Sequence, residues 1–319
     1  MPNPRILFVK TSSLGDVVHN CPAVTDVARA MPDAVIDWVV EEAFAEAVRL
    51  HANVRRVIPL AIRRWRNAAF AAATWSEMGA FRAQLRSEPY DTVIDSQGLL
   101  KSALVASQAL GRRHGFDRAS AREPLAARFY DAGHAVPLNL HAVDRNRQLA
   151  AAALGYRVDG PCEYGLRVAQ ERASTSASNP YALLLTMTSR DDKLWPEEHW
   201  RALGNALASR GLVCSLPWGT EEERHRCARI AVAIPGAVLP DRMPLAEIAS
   251  LAQGARFVVG VDTGLAHLAA ALQVPVVGLY CNSDPALTGL HGSGRLWNLG
   301  NAGEPPTVQA VLDALGTLG

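Results

Sequence analysis

The chain has 319 residues, 49% hydrophobic and 20% charged, with a formal net charge of +1. That length suits about two packed domains. No apolar run approaches the roughly 18–20 residues of a membrane span. Pro2, Pro4 and Arg5 near the start do not read as a signal peptide. The five cysteines are odd in number and show no CxxC spacing, so neither a zinc site nor a disulfide framework is indicated and reduced thiols are expected. The expectation is a soluble intracellular protein.

In chain order, RILFVK (5–10) reads as a strand and CPAVTDVARAM (21–31) as an amphipathic helix with Pro22 near its first turn. AVIDWVV (34–40) is a strand and EEAFAEAVRLH (41–51) a helix. VRRVIPL (54–60) and FRAQLRSE (81–88) repeat the pair, as do YDTVIDS (90–96) and LKSALVASQAL (100–110). NRQLAAAALGY (146–156) is a helix closed by a glycine. This alternation, with continuous apolar strands, argues for a parallel α/β sheet. The polar segment 168–180, ending in Pro180, reads as the approach to a domain boundary.

The alternation then restarts. Strands are expected in YALLLTM (181–187), LVCSLPW (212–218), RFVVGV (256–261) and PVVGLY (275–280). Helices are expected in EEHWRALGNALASRG, EEERHRCARIAVAI, PLAEIASLAQGA and GLAHLAAALQ. The pattern predicts two doubly wound domains, residues 1–170 and 171–319, facing a cleft. A last helix at about 307–315 suits packing on either domain.

Charge is unevenly spread. Residues 49–157 hold 17 Lys and Arg against 8 Asp and Glu, either a solvated face or a rim that attracts an anionic partner. There are 3 lysines against 29 arginines, so Lys10, Lys101 and Lys193 stand out.

Open α/β sheets bind ligands beyond the carboxyl ends of their strands. In GVDTGLAHLAAAL (260–272) a strand runs into a helix N-terminus, a natural phosphate site. Gly264 allows close approach, Thr263 adds a hydroxyl and His267 can reach a second oxygen; a plain N-cap with an incidental histidine is the alternative. In TMTSRDDKLWPEEHW (186–200), Thr188, Ser189 and Lys193 form a hydroxyl-and-cation cluster suited to a diphosphate. The acids of LPWGTEEER (216–224) suit ribose hydroxyls or, equally, a helix first turn, and DRMPLAEI (241–248) offers a loop for a base.

The opening loop, KTSSLGDVVH (10–19), carries one Gly15 and a carboxylate, Asp16, where a dinucleotide fold needs GxGxxG, so a nicotinamide dehydrogenase is disfavoured. DSQGLLKSAL (95–104) places Asp95, Gln97 and Lys101 after a strand. IRRWR (62–66) interleaves arginine forks with Trp65, which suits carboxylate or phosphate. Nothing matches a nucleic-acid-binding module, and no nucleic acid partner is expected.

In this order, KTSSLGDVVHNCPAV, IRRWR, DSQGLLKSA, TSRDDKLWP and GVDTGLAHLAAAL resemble the bacterial lipopolysaccharide heptosyltransferases of glycosyltransferase family 9, over essentially the whole chain. IRRWR and SQGLLKS are more similar to the type I enzymes, which add the first inner-core heptose, than to type II. The resemblance implies a GT-B fold of two Rossmann-like parallel-sheet domains. It implies transfer of heptose from ADP-L-glycero-β-D-manno-heptose to the Kdo of Kdo2-lipid A, with inversion, no cofactor and no metal. It places the protein in the cytoplasm, peripheral to the inner membrane.

Carried onto this sequence, the resemblance makes Asp16 the base and Lys193 the cation on the leaving diphosphate, with helix capping as the alternative use of Asp16. Thr188, Ser189, Thr263, Gly264, Leu265 and His267 would join Lys193, with Asp262 near the donor sugar or the diphosphate loop, Glu222 on the ribose and Met243 by the adenine. Ser12, Gly15, Arg63, Arg64, Arg66, Gln97, Lys101, Arg118, Arg122 and Arg145 are the acceptor-side candidates. The lack of any Asp-x-Asp pair fits a metal-free diphosphate site. Type II transfer, a GT-B-like sugar-nucleotide epimerase and a non-catalytic nucleotide-binding protein are the rival readings.

Overall fold

A computed structural model describes residues 3–168 and 180–317. Most of the segment expected to approach a domain boundary, 169–179, lies outside the described residues. The chain divides into two units, Met1–Leu166 and Arg167–Gly319.

In the first unit β1 (Arg5–Val9), β2 (Val35–Glu41), β3 (Val54–Leu60), β4 (Thr92–Asp95), β5 (Arg112–Phe116) and β6 (Ala132–His134) form one parallel sheet in the order β3-β2-β1-β4-β5-β6. Ile6, Leu7, Phe8 and Val9 are all buried, as expected of a strand covered by helices on both faces. The chain builds outward from β1 to β3, then returns across β1 to add β4, so the winding reverses between β1 and β4. That reversal leaves a crevice above their carboxyl ends.

β5 and β6 were not expected. RRHGF and AGH are short and polar or glycine-bearing, so they carry no apolar run to announce a strand. IRRWR, read as a basic run, lies in a helix, Ile62–Asn67, and the next helix begins at Ala72 and ends at Leu85. The helix expected over 41–51 resolves into a 3-10 turn and a shorter helix, Ala45–Arg49. Helix Ala142–Leu154 ends at Gly155, whose φ of 75° is the left-handed cap that favours glycine.

In the second unit β7 (Tyr181–Leu185), β8 (Val213–Ser215), β9 (Phe257–Val261), β10 (Val276–Tyr280) and β11 (Leu296–Gly300) form a parallel sheet in the order β11-β10-β9-β7-β8. Here the winding reverses between β7 and β9. β11 was also missing from the sequence reading. Trp195 and Trp200 meet edge to face at 5.0 Å in the core, and the Trp195 indole N–H donates to the Pro306 carbonyl at 2.8 Å. The final helix, Val308–Gly316, packs on helix Glu197–Ala208 and on β10 and β11, within the second unit. Among the described residues no helix is long and apolar enough to cross a membrane.

Candidate active site

Above the β1–β4 reversal, Gln97 fastens the opening loop. Its Oε1 accepts the Thr11 and Ser12 amides at 3.0 and 3.2 Å, and its Nε2 donates to the Ser12 carbonyl at 2.6 Å. Asp95 in turn holds the Gln97 amide at 2.9 Å and the Ser102 and Tyr130 hydroxyls, both at 2.8 Å. Burial pushes the Asp95 pKa up against those hydrogen bonds. Gln97, expected on the acceptor, holds the opening loop through both ends of its amide.

Asp16 sits in the first turn of helix Leu14–Val18, where Ser13 is the N-cap residue, and accepts the Ser13 amide at 3.2 Å. The Arg122 guanidinium grips the same carboxylate at 2.7 and 3.3 Å. Burial alone would raise the Asp16 pKa, but the charges of Lys10 and Arg122, with the Arg122 and Ser13 hydrogen bonds, outweigh it and lower the pKa. The side chain keeps 17% of its surface accessible, so a substrate hydroxyl can reach it. The N-cap position expected as the alternative use of Asp16 belongs to Ser13, and Asp16 supports that cap from the first turn while pairing with Arg122.

Lys10 was noticed for its rarity but not chosen as a site residue. It is buried at the end of β1, and its Nζ donates to the Ser96 carbonyl at 2.7 Å and to Asn146 Oδ1 at 3.3 Å. Burial pushes its pKa down to about 8, partly opposed by Asp16. Glu41, also missed, is buried at the end of β2 with its pKa raised by burial, and accepts the Arg63 amide at 3.1 Å.

The acceptor-side arginines are put to different uses. Arg64 is locked between Glu42 and Glu77 at 3.0 and 2.7 Å, which commits its fork to internal ties. Arg63 stands over the Phe44 ring at 5.3 Å. Arg145 stacks over Phe116 at 4.7 Å and donates to the Ser120 carbonyl at 2.6 Å. Arg66 and Arg118 are exposed, Ser12 is buried, and Lys101 Nζ donates to Ser12 Oγ at 3.0 Å. Gly15 lies half-buried in the turn that carries Asp16. Arg122, Lys101 and Ser12 thus converge on the opening loop, whereas Arg64 does not take part.

At the β7–β9 reversal, Asp262 ties distant motifs together. Lys193 Nζ lies 2.6 Å and Ser283 Oγ 2.7 Å from its Oδ2, His267 Nε2 lies 3.5 Å from its Oδ1, and Thr188 Oγ1 donates to its carbonyl at 2.8 Å. Burial opposes ionisation of Asp262, but His267, Lys193 and Ser283 hold its pKa well below the carboxylate range. Thr263 is the N-cap residue of helix Gly264–Ala271, and the first amides of a helix have no intrahelical partner. A cavity of about 200 Å³ opens here, lined by Thr188, Ser189, Trp218, Glu223, Thr263 and Leu265 among others.

Glu222 is exposed on helix Glu221–Ala231, and Glu223, one residue on, lines the cavity while accepting the Gly219 and Thr220 amides at 2.6 and 3.2 Å. Three consecutive acids hide the helical phase that decides between them. Met243 is half-buried in the loop before helix Leu245–Gly254, outside the residues that line the cavity. His267, expected on a diphosphate oxygen, is buried against Asp262. Ser283 was not anticipated; one serine in a loop gives no signal. Among the described residues no three His, Cys, Asp or Glu side chains converge as a metal-ligand set.

Two doubly wound units, one with an ionised carboxylate at its reversal and the other with a lysine and a helix N-terminus beside a cavity, define a GT-B glycosyltransferase. The chain belongs to glycosyltransferase family 9 (heptosyltransferase), whose model matches residues 78–310. It is 45% identical to lipopolysaccharide heptosyltransferase 1 of Escherichia coli K12, over 98% of this chain and all of that one. The structure of E. coli heptosyltransferase WaaC with ADP superposes with a TM-score of 0.90 at 45% identity, covering 99% of this chain and 100% of that one. WaaC with ADP-2-deoxy-2-fluoro heptose superposes at 0.85 and 43% identity, with the same coverage.

Proposed function

We propose that this chain is a type I lipopolysaccharide heptosyltransferase, moving L-glycero-D-manno-heptose from ADP-L-glycero-β-D-manno-heptose to the Kdo of Kdo2-lipid A with inversion. The observation that carries this reading is the full-length 45% identity to lipopolysaccharide heptosyltransferase 1. The intact site motifs support it, and the donor rests on the ADP and ADP-heptose analogue carried by the WaaC structures.

In the proposed step Asp16 takes the proton of the attacking Kdo hydroxyl. The hydroxyl oxygen bonds to the anomeric carbon, the bond to the β-phosphate oxygen breaks, and ADP leaves. Negative charge grows on the diphosphate. Lys193, held by Asp262, the Thr188 and Ser189 hydroxyls, and the Gly264 and Leu265 amides stabilise it. Glu223 takes the ribose and Arg122 and Lys101 meet the acidic acceptor. With Lys193 and the helix N-terminus supplying the positive charge, the reaction needs neither metal nor cofactor. The enzyme works in the cytoplasm at the inner-membrane surface.

ADP release, followed with and without Kdo2-lipid A, tests the reading. Wild type turns over only with acceptor, and Asp16→Asn, which can still accept the Ser13 amide, loses about 10²–10⁴-fold in kcat. A folded Asp16→Asn enzyme within threefold of wild type removes Asp16 as base. Absence of turnover in a wild type that binds ADP-heptose removes the acceptor assignment.

A further inference from the structure

We propose that the helical hairpin of Ile62–Asn67 and Ala72–Leu85 is a membrane-docking face, with Phe70, Trp75 and Met78 entering the interfacial layer of an anionic bilayer. This rests on the membrane-bound acceptor proposed above. The hairpin follows β3 directly, and the Arg63 amide bonds Glu41 at the end of β2, so Ile62–Asn67 and the connection that carries Phe70 stand at the same sheet end as Asp16, while helix Ala72–Leu85 runs back toward the amino ends of the strands, where Arg56 donates to Ser87.

Helix Ala72–Leu85 packs inward through Thr74, Phe81 and Leu85. At 100° per residue Trp75, Met78, Arg82 and Arg86 follow one another along a single flank of that helical turn. Trp75 is 64% exposed, Met78 39%, and Phe70, in the connection between the helices, is fully exposed. Three large exposed apolar side chains within nine residues of one hairpin are the kind of surface that marks an interaction site. Arginine beside Trp and Phe is the composition that seats an element at a bilayer interface.

Charge selects the occupant. Residues 61–86 contain five arginines and one acid, Glu77. Glu77 lies on the opposite flank and is committed to Arg64 at 2.7 Å and to the Trp65 indole at 2.8 Å. Arg66, Arg82 and Arg86 are exposed and pair with no carboxylate among the described residues. Two copies meeting through this face would set like charges against each other. Lipid phosphates supply the missing anions, each arginine near the surface adding attraction.

The full-length protein is sedimented with phosphatidylcholine vesicles containing about 30 mol % phosphatidylglycerol, and with phosphatidylcholine alone. Wild type binds the anionic vesicles, and Phe70→Ser/Trp75→Ser and Arg82→Glu/Arg86→Glu each bind about tenfold more weakly or worse, with wild-type melting temperatures. Turnover falls with vesicle-embedded acceptor and stays at the wild-type level with a short-chain, water-soluble one. Wild type that ignores anionic vesicles, or variants that bind as wild type does, overturn the proposal. So does a wild-type dimer that the variants convert to monomer, because the face would then join two copies. Vesicle binding needs neither donor nor acceptor, so it judges the face even where the transferase reading fails.

Discussion

Lys10 carries a charge that the fold holds at a cost. The residue is 3% exposed, and burial brings its pKa from 10.5 to about 8. At 1.36 kcal/mol per pH unit that difference corresponds to about 3 kcal/mol of stability forgone at neutral pH. The sign follows from proton counting. Between pH 8 and 10.5 the unfolded chain binds a proton that the folded one has released, so stability rises with pH across that window. Below it both states are protonated and the full cost remains.

In Lys10→Met this slope disappears. The Ser96 carbonyl and Asn146 Oδ1 lose a donor, which costs about 1–3 kcal/mol but does not vary with pH. Urea unfolding of both proteins at several pH values isolates the effect. Wild-type stability minus that of the variant should grow by about 3 kcal/mol from neutral pH to above 10. A difference flat to within about 0.5 kcal/mol would refute a charged, desolvated Lys10 and with it the cation beneath Asp16.

Lys193→Ala should cut kcat by about 10²–10³ and lower the melting temperature, because Asp262 is left buried without its cation; Lys193→Ala/Asp262→Asn should regain stability but not turnover. Steady-state kinetics and thermal melts separate the two. Glu223→Gln should weaken ADP binding by about tenfold in calorimetry, whereas Glu222→Gln should not, and the reverse order would restore the residue expected from sequence. Turnover should be unchanged after exhaustive EDTA treatment; loss restored by a divalent cation would contradict a site in which Lys193 and helix amides carry the charge.

The long apolar strands were legible because β1, β7, β9 and β10 are covered on both faces and read as apolar runs, and β2 does so apart from Asp37 and Glu41. β5 was not, since RRHGF is polar at its start and holds Gly115 where a Cβ would strike the Tyr130 ring at 2.3 Å. Those reasons are tertiary and leave no mark on local pattern. Among site residues, Asp16 and Lys193 stood out as unneeded charges at strand ends. The internal ties of Gln97 and Arg64 were not legible, because a polar side chain that braces a loop and one that meets a substrate look alike in sequence. Which of Glu221, Glu222 and Glu223 faces the cavity was not legible, because three adjacent acids carry no phase; the fold turns Glu223 to it.

The two strand-order reversals hold complementary charge arrangements. In the first unit a carboxylate, Asp16, is kept ionised by the cations Lys10 and Arg122; in the second a cation, Lys193, is steadied by the carboxylate of Asp262. A displacement that takes a proton from one substrate and releases a diphosphate from the other needs a proton acceptor for the first and fixed positive charge for the second. Neither group can be stationed alone in a partly buried crevice, because an uncompensated charge there would shift its pKa and neutralise. Each unit therefore supplies the counter-ion that keeps its own buried group charged. In the step proposed above, Arg122 and Asp262 act through Asp16 and Lys193 even where they touch no reacting atom.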